Sequence, residues 1–516
     1  MATSVIHRMT RSFNSRRRAV HSSPSYTLAH LKALDEYTRR TPWYRILFVS
    51  VMTVAPSTAI ICLLNLIPLK APAVGFQHNV NFFIRTILGA IVGNVGLGLQ
   101  LCAGVPDAEL TPLKILLVAI GASLGFTGLT VLLAELWIFP VPWSIGLASL
   151  PSTTLFAGGT YLAIGRKRFQ ASAQLQHDLL RALNVLSRQL ILLLIYPSFN
   201  AVHIRLTGLH QLAFMLVLPI MKFMMKRLVS NAATTRDCSN KIVPAMIINV
   251  DVFDALFLSK CMQNSASFWA GAGLIAIDLV ESAHSITHLH KLAQRCDITQ
   301  VGYRLGTMKD IGSDAASASV TNDRTTRRSI SWGNLMRGKR VRPELVASSA
   351  LSSDLAVAPS STENVAATSM PSVGDIDTAM HSARTLDRSL QLLYQFELML
   401  LVEYVECAIP IMYAAYLVTL FHLPNSQFFP EMVILSSDKF VQIARSIAVY
   451  ALLEFVSLVC VHVAFQRKFH TSAFHQLGFV LEQNNVYLQG VLLIWSVMVS
   501  DITLIHNGAR LDSMTP

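Results

Sequence analysis

The chain has 516 residues, of which 52% are hydrophobic and only 14% are charged, and its mean hydropathy is +0.47. An ordinary soluble domain is about a quarter charged, so this composition excludes a soluble globular protein and predicts an all-α polytopic membrane protein. The formal net charge is +12, but the basic residues lie beside apolar runs and not in a separate polar domain. They indicate orientation in a lipid bilayer, and we expect no nucleic-acid partner.

Residues 1–45 form a basic, polar segment in which no acidic residue precedes Asp35. The segment lacks the apolar stretch and cleavage site of a secretory signal peptide. Because it is rich in Arg and Ser, a mitochondrial transit peptide is an alternative to a location in the plasma membrane or endomembranes. Residues 25–37 place leucines on one helical face, which predicts a short helix along the inner membrane surface.

Apolar stretches recur along the chain, each close to the roughly 20 residues needed to cross the hydrocarbon core. We predict eleven spans, at 46–69, 82–105, 113–139, 143–164, 183–205, 207–228, 242–262, 267–290, 392–421, 441–465 and 481–505. They form an eight-span domain (46–290) and a three-span domain (392–505), separated by an insert (291–391) and followed by a short tail (506–516). Gly89 with Gly93 in the second span and Gly121 with Gly125 in the third predict close packing of these two helices.

Basic residues concentrate in the N-terminal segment, in the insert and at 166–181 and 222–241, all on the same side of the predicted spans. The positive-inside rule makes that side cytoplasmic. The N-terminus is therefore predicted inside. Because the number of predicted spans is odd, Pro516 is predicted outside.

Carboxylates occur at membrane depth in several predicted spans, where a charge that faces lipid is very unfavourable. Most of them form pairs three residues apart, which places both members of a pair on one helical face. We therefore predict that they point into a polar interior. The candidate substrate- or ion-binding residues are Asp251, Asp254, Asp278, Glu281, Glu403, Glu406 and Glu454.

Three interpretations of these acids remain open. A cation- or proton-coupled transporter or channel would use carboxylates that bind and release ions. A metal site is the second, because Asp278, Glu281, His284 and His288 continue one helical face of oxygen and nitrogen ligands, although no second such element accompanies them. In the third, each acid is protonated and only holds neighbouring helices together. Motifs of known enzyme classes are absent, so we predict neither catalysis nor a bound cofactor.

Two prolines interrupt the predicted spans. Pro197 in the fifth span and Pro219 in the sixth each remove a backbone donor, which predicts a kink in each helix. Broken helices line the substrate sites of many transporters, but kinks also occur without any such role.

Four segments of the chain carry a resemblance to known sequences. They are YPSFNAVH (196–203), QLAFMLVLPIMK (211–222), DVFDALFLSKCMQ (251–263) and RTPWYRILFV (40–49). These segments resemble a large set of uncharacterised multi-pass membrane proteins from filamentous water moulds. The resemblance covers most of the spans but not the insert. It implies a polytopic architecture and carries over no activity and no site residues.

The insert, rich in Ser, Ala, Thr, Asp and Arg and poor in aromatic residues, is predicted to be mostly disordered. Within it, residues 324–342 hold seven basic residues and no acid. This segment predicts binding to anionic inner-leaflet lipids, unless its charge serves only to orient the chain. Ser329 and Ser331 are candidate sites for a basophilic kinase, because Arg328 precedes Ser331 by three residues. The alternative function is therefore a non-transporting receptor or scaffold whose insert recruits cytoplasmic partners.

Overall fold

The computed structural model describes residues 28–203, 217–233, 242–264, 373–433, 435–469 and 472–508, together with positions 206, 210, 214 and 287. The chain divides into two compact units, Met1–Ile298 with Leu390–Pro516 and Thr299–Ser389. In the second unit, the described part is the helical backbone from residue 373 to residue 389. The helix packing and the sites that follow belong to the first unit.

The described residues form α-helices joined by turns and contain no β-strand. In chain order the helices are α1 (Leu28–Arg40), α2 (Trp43–Asn65), α3 (Val80–Gly104), α4 (Pro112–Leu136), α5 (Ser144–Ile164), α6 (Arg166–Ala171), α7 (Ala173–His203), α8 (Val217–Ala233), α9 (Ile242–Asn264), α10 (Val373–His422), α11 (Pro430–Val433), α12 (Ser437–Phe469) and α13 (Ala473–Ile502). Over these residues, the all-α class predicted from composition is confirmed.

Six of the described helices are long and apolar enough to cross a membrane: α2, α3, α4, α13 and the segments Leu393–His422 of α10 and Ser437–Arg467 of α12. The chain is therefore an integral, multi-pass membrane protein. The predicted spans at 143–164, 183–205, 207–228 and 242–262 overlap α5, α7, α8 and α9 over the described residues, and these helices are not among the six. The span predicted at 267–290 lies almost entirely outside the described residues. The total of eleven spans stays a prediction.

Helix α13 forms the centre of the bundle and packs against α2 and α3. In its most apolar window 72% of the residues are buried, against 22% in α2, although α2 is the more apolar of the two. The reason is that α13 turns glutamine and serine side chains towards other helices, whereas the aliphatic surface of α2 faces outward. Among the described spans, the most apolar helices are therefore the least buried.

The contact between α13 and α3 depends on two glycines. A Cβ atom added to Gly96 would lie 2.6 Å from the carbonyl oxygen of Gly490, and one added to Gly490 would lie 2.6 Å from that of Gly96. The two backbones touch at this point, and only glycine leaves room for such a contact. A pair of small residues on different helices thus fixes the crossing of the central helix.

Helices α3 and α4 pack together, but not through the glycine pairs predicted to join them. Their contact includes Gly98 against Ile115 and a hydrogen bond from Asn94 to Ser123. Gly89 instead faces α13, and Gly125 faces Leu155 of α5. The spacing of small residues indicated that these helices have close neighbours without identifying which neighbour each glycine meets.

The two prolines expected to kink helices lie in described helices. Pro197 is within α7, which is helical from Ala173 to His203, and Pro219 is the third residue of α8 as the structure describes it. Both helices are continuous over these bounds. The kinks stay predictions.

At a third proline, Pro56 in α2, a side chain from another helix supplies the hydrogen bond that the proline cannot donate. Proline at position 56 cannot donate to the carbonyl group of Met52. The side chain of Gln489 on α13 does so instead, at 3.3 Å, and donates a 2.6 Å bond to the carbonyl group of Thr53 as well. The proline therefore ties α2 to the central helix.

The helix ends meet on two opposite faces of the bundle. On one face, Tyr37 and Arg45 donate hydrogen bonds to Glu482 near the start of α13. On the other, His506, just beyond the end of α13, bonds to the carbonyl group of Lys70, beyond the end of α2. Helices α2 and α13 therefore run in the same direction.

Candidate functional site, a buried ion cluster

Three carboxylates and two lysines from three helices meet inside the bundle. Lys222 of α8 donates to Glu406 of α10, with 2.9 Å between Nζ and Oε1. The same Nζ lies 3.6 Å from Asp254 Oδ2 and 3.8 Å from Asp251 Oδ1, both on α9. Lys226 Nζ lies 2.6 Å from Asp251 Oδ1. We call these five residues the ion cluster.

Helical periodicity explains why these residues meet. Lys222 and Lys226 are four residues apart, and Asp251 and Asp254 are three apart, so each pair occupies one helical face. Lys226 contacts Asp251 while Lys222 reaches on to Asp254, which means that α8 and α9 run antiparallel. Buried apolar side chains such as Phe253 hold α9 in the core and keep the aspartates at this depth.

The ion cluster has a buried centre and a more accessible edge. The side chain of Asp251 is fully buried, whereas that of Lys226 is 26% exposed. Taking a charge out of water costs several kcal/mol, and mutual pairing offsets that cost only when the geometry is good. Charges at this position in a membrane protein are consequently a candidate functional site, and its more exposed edge is at Lys226.

Lys222 lies within 4 Å of three carboxylates and is therefore the central cation of the ion cluster. Only the bond to Glu406 has the short distance of a charge-assisted hydrogen bond, while Asp251 and Asp254 lie farther away. A change in the protonation of one carboxylate would alter the balance among the three.

A second group of acids lies between α10 and α12. Glu403 accepts a 2.7 Å hydrogen bond from Ser457, and Glu454 is buried one turn before Ser457. Cys407 donates a weak 3.8 Å bond to the carbonyl group of Ala451, which also joins α10 to α12. Glu403 and Glu406, although three residues apart on α10, therefore contact different neighbouring helices.

Two more buried cations pair with acids towards the opposite end of the bundle. Lys260 of α9 bonds to Glu431 of α11 and lies 3.3 Å from Thr503 Oγ1, just beyond the end of α13. Arg85 of α3 donates to Asp501 Oδ1 at 2.7 Å and to Ser500 Oγ at 3.1 Å. Each pair joins elements that are distant in sequence, so buried charge pairing recurs across the bundle.

The structure brings together three of the acids singled out in the sequence, Asp251, Asp254 and Glu406. Their partners Lys222 and Lys226 are not evident from the sequence, because the positive-inside rule places basic residues near the ends of spans on the cytoplasmic side. One signal was present: both lysines lie in a mostly apolar stretch at a spacing of four, which places them on one helical face.

Several predicted residues lie outside the described part of the chain. They are Asp278, Glu281, His284 and His288, the candidate phosphorylation sites Ser329 and Ser331, and the basic segment 324–342. Within the described residues, no group of three or more His, Cys, Asp or Glu side chains is arranged to hold a metal ion. No family model, curated protein or solved structure matches the chain.

Proposed function

We propose that the protein is a cation- or proton-coupled membrane transporter or channel, and that the ion cluster is its coupling site. The observation that carries the proposal is the sharing of one buried ammonium group, Lys222, among three carboxylates on two other helices. Ionisable groups inside a membrane bundle are unfavourable for stability and are typical of ion and proton pathways.

Coupling requires that occupancy of the site change the packing of helices. The bonds of Lys222 join α8 to α9 and α10, so protonating Glu406 or placing a cation beside it weakens the attraction between α8 and α10. The two occupancy states then favour different arrangements of the same helices. This is the minimum needed to link ion binding to opening on one side of the membrane.

Helix α10 lacks one backbone hydrogen bond next to the ion cluster. Pro410 lies inside α10, four residues after Glu406, and cannot donate to the carbonyl group of Glu406. The helical hydrogen-bond ladder is therefore weaker at the level of the cluster than elsewhere in α10. A helix that bends there would move Glu406 towards or away from Lys222.

The proposal is tested by flux through purified full-length protein reconstituted in vesicles, with a panel of cations and an imposed pH gradient. We expect ion-dependent flux in the wild type, and its loss or a shifted pH dependence in Glu406→Gln and Asp254→Asn. Glu135→Gln is the matched control, because Glu135 is an exposed acid at the end of α4, away from the cluster. Wild-type protein that carries no ion under any gradient would contradict the proposal, as would cluster variants that transport normally.

The alternative, a receptor or scaffold, is favoured by a different aspect of the same cluster. Asp251, Asp254 and Glu406 each have a lysine ammonium group nearby, which also suits a static clamp between helices. In that case the amide variants are silent in flux, and the basic segment 324–342 carries the function through anionic lipid or a cytoplasmic partner. A peptide of residues 324–342 would then bind anionic vesicles and lose affinity when Ser329 and Ser331 are phosphorylated.

A further inference from the structure

A cavity of about 90 Å³ lies between α3, α4, α5, α7 and α13. By the same measure a water molecule needs about 10–15 Å³, so the cavity has room for several waters or for one small organic molecule. Its described lining residues include none from α8, α9 or α10, so it is separate from the ion cluster. Most of the lining is apolar, with Leu97, Phe126 and Trp495 among the larger side chains.

Three of the hydroxyl groups that line the cavity offer oxygen lone pairs and no protons. Thr86 Oγ1 donates to the carbonyl group of Phe82 at 2.8 Å, and Thr153 Oγ1 to that of Ser149 at 2.8 Å. Ser149 Oγ donates in turn to the carbonyl group of Gly146 at 2.9 Å. Because each of these three hydroxyl groups donates its proton within its own helix, it can only accept a bond from a molecule in the cavity. The hydroxyl group of Ser152, also in the lining, donates instead to the carbonyl group of Ala122 on α4 at 3.5 Å.

Asn94, near the middle of α3, is arranged in the same way. Its Nδ2 group donates to the carbonyl group of Ala90 and to Ser123 Oγ, both at 3.0 Å. These two bonds use both amide protons, so the amide oxygen is what remains to bind a ligand. The indole N–H of Trp495 is also engaged, since it donates to Asn249.

The carboxylate of Asp501 is a further oxygen acceptor in the lining of the cavity. Asp501 Oδ1 is bound by Arg85, but Asp501 Oδ2 points along the cavity wall, 3.4 Å from where a Cβ atom on Gly89 would lie. The side chain of Asp501 is 20% accessible, whereas that of Arg85 is 3% accessible. A molecule in the cavity therefore meets the negative partner of this ion pair and not the positive one.

We propose that this cavity binds a small organic ammonium ion, a primary amine with a short apolar chain. Its N–H donors match the oxygen acceptors, its charge is attracted to Asp501, and its chain packs on the apolar wall. A hydrated metal ion fits less well, because most of the wall supplies no oxygen ligands. The site does not rest on the proposed function, since binding here requires no movement of the ion cluster.

Two glycines provide a matched test. An added Cβ atom would meet nothing within 4 Å at Gly93, which lines the cavity, or at Gly121, which lies in α4 outside its described lining. The Cβ atom of Gly93→Val therefore enters open space in the cavity, and Gly121→Val makes the same chemical change elsewhere. Binding of n-butylammonium to the detergent-solubilised full chain is measured at neutral pH by titration calorimetry and by thermal stabilisation.

We expect saturable binding in the wild type and in Gly121→Val, and binding weaker by about tenfold or more in Gly93→Val, a loss of at least about 1.4 kcal/mol. Glu406→Gln should leave the affinity unchanged, which separates this site from the ion cluster. The uncharged analogue n-butanol should bind more weakly than n-butylammonium. Equal binding of the two compounds, or undiminished binding in Gly93→Val, would overturn the proposal.

Discussion

Lys222 and Glu406 are 184 positions apart in the chain, yet they share a 2.9 Å hydrogen bond inside the bundle. The two partners of this bond are not equivalent. Lys222 also lies near Asp251 and Asp254, so it compensates three carboxylates, whereas replacing Glu406 leaves the lysine with two acidic neighbours. The loss of the cation should therefore be more damaging than the loss of the anion.

We predict that Lys222→Met lowers the free energy of unfolding by about 3 kcal/mol, the typical cost of leaving buried charges without their partner. Glu406→Gln should cost only about 1 kcal/mol, because the amide still accepts a bond from Lys222. The double variant should be less destabilised than Lys222→Met alone. Unfolding of the three variants in mixed micelles measures the differences.

Lys439→Met is the control for this comparison, because Lys439 is exposed at the start of α12 and should tolerate the change. Equal free energies of unfolding for Lys222→Met and Glu406→Gln would contradict the prediction that losing the cation is the more damaging change. In that case Lys222 would not be the cation on which the three carboxylates depend.

The glycine contact between α3 and α13 gives a second prediction. At Gly490 an alanine Cβ would lie 2.6 Å from a backbone oxygen of α3, and that oxygen cannot rotate away. We expect Gly490→Ala to lower the free energy of unfolding by about 1–3 kcal/mol, as overpacking does elsewhere. Gly93→Ala should be neutral or slightly stabilising, since an added Cβ there meets no atom within 4 Å. Comparable losses for the two variants would mean that the contact is not rigid.

Hydropathy was sufficient to predict the helical membrane class, and helical spacing singled out Asp251, Asp254 and Glu406 among the inward-pointing acids without showing that these three meet. Acids inside apolar runs are conspicuous, because no surface role places them there. Their cationic partners were not predictable in the same way. A lysine near the end of an apolar run has the same sequence pattern whether it reaches outward to water, as is common, or turns inward, as Lys222 does.

The partners of polar groups on α13 could not be predicted from the sequence either. Gln489 caps carbonyl groups near Pro56, and Asp501 pairs with Arg85, but these contacts join residues more than 400 positions apart. Periodicity states which face of a helix a residue occupies, not which helix faces it. The cavity near Asp501 arises from five helices, and no local pattern encodes such an arrangement.

His506 gives a prediction about pH. Burial and the nearby Arg85 together lower the pKa of this imidazole to about 4 from its ordinary value of 6.5, although the hydrogen bond to the carbonyl group of Lys70 opposes the shift. The ring stacks on Phe82, and within the described residues its Nδ1 atom has no hydrogen-bond partner. The folded state therefore holds the neutral ring, and protonation would place a charge in an aromatic pocket.

The sign follows from the lowered pKa: the unfolded chain takes up a proton first as the pH falls. This contribution to stability is complete above pH 6.5, declines between pH 6.5 and about pH 4, and amounts to about 3 kcal/mol in all. Melting temperatures of the wild type and of His506→Gln across this range isolate the effect, since the glutamine keeps a donor for Lys70 without titrating. A wild type and variant that lose stability in parallel would rule out His506 as the source.

The last prediction concerns the path of the chain between α9 and α10. Lys222 contacts Asp254 on α9 and Glu406 on α10, and further along both helices Gln263 bonds to Tyr413. Both helices therefore run in the same direction across the bundle. A chain that leaves α9 on one face and enters α10 on the opposite face has to return across the membrane in between, and the span predicted at 267–290 is the apolar segment available for it.

We expect an N-glycosylation tag placed after Arg342 to remain unmodified and a tag placed after Pro516 to be modified when the chain is translated with microsomes. Removing residues 267–290 deprives the chain of its return crossing, so that either α10 to α13 invert or the protein fails to insert. The C-terminal tag should then lose its modification, whereas a deletion of equal length within 343–372 should leave it unchanged. Modification after Arg342 in the intact chain would show that the insert is external and that the predicted orientation is wrong.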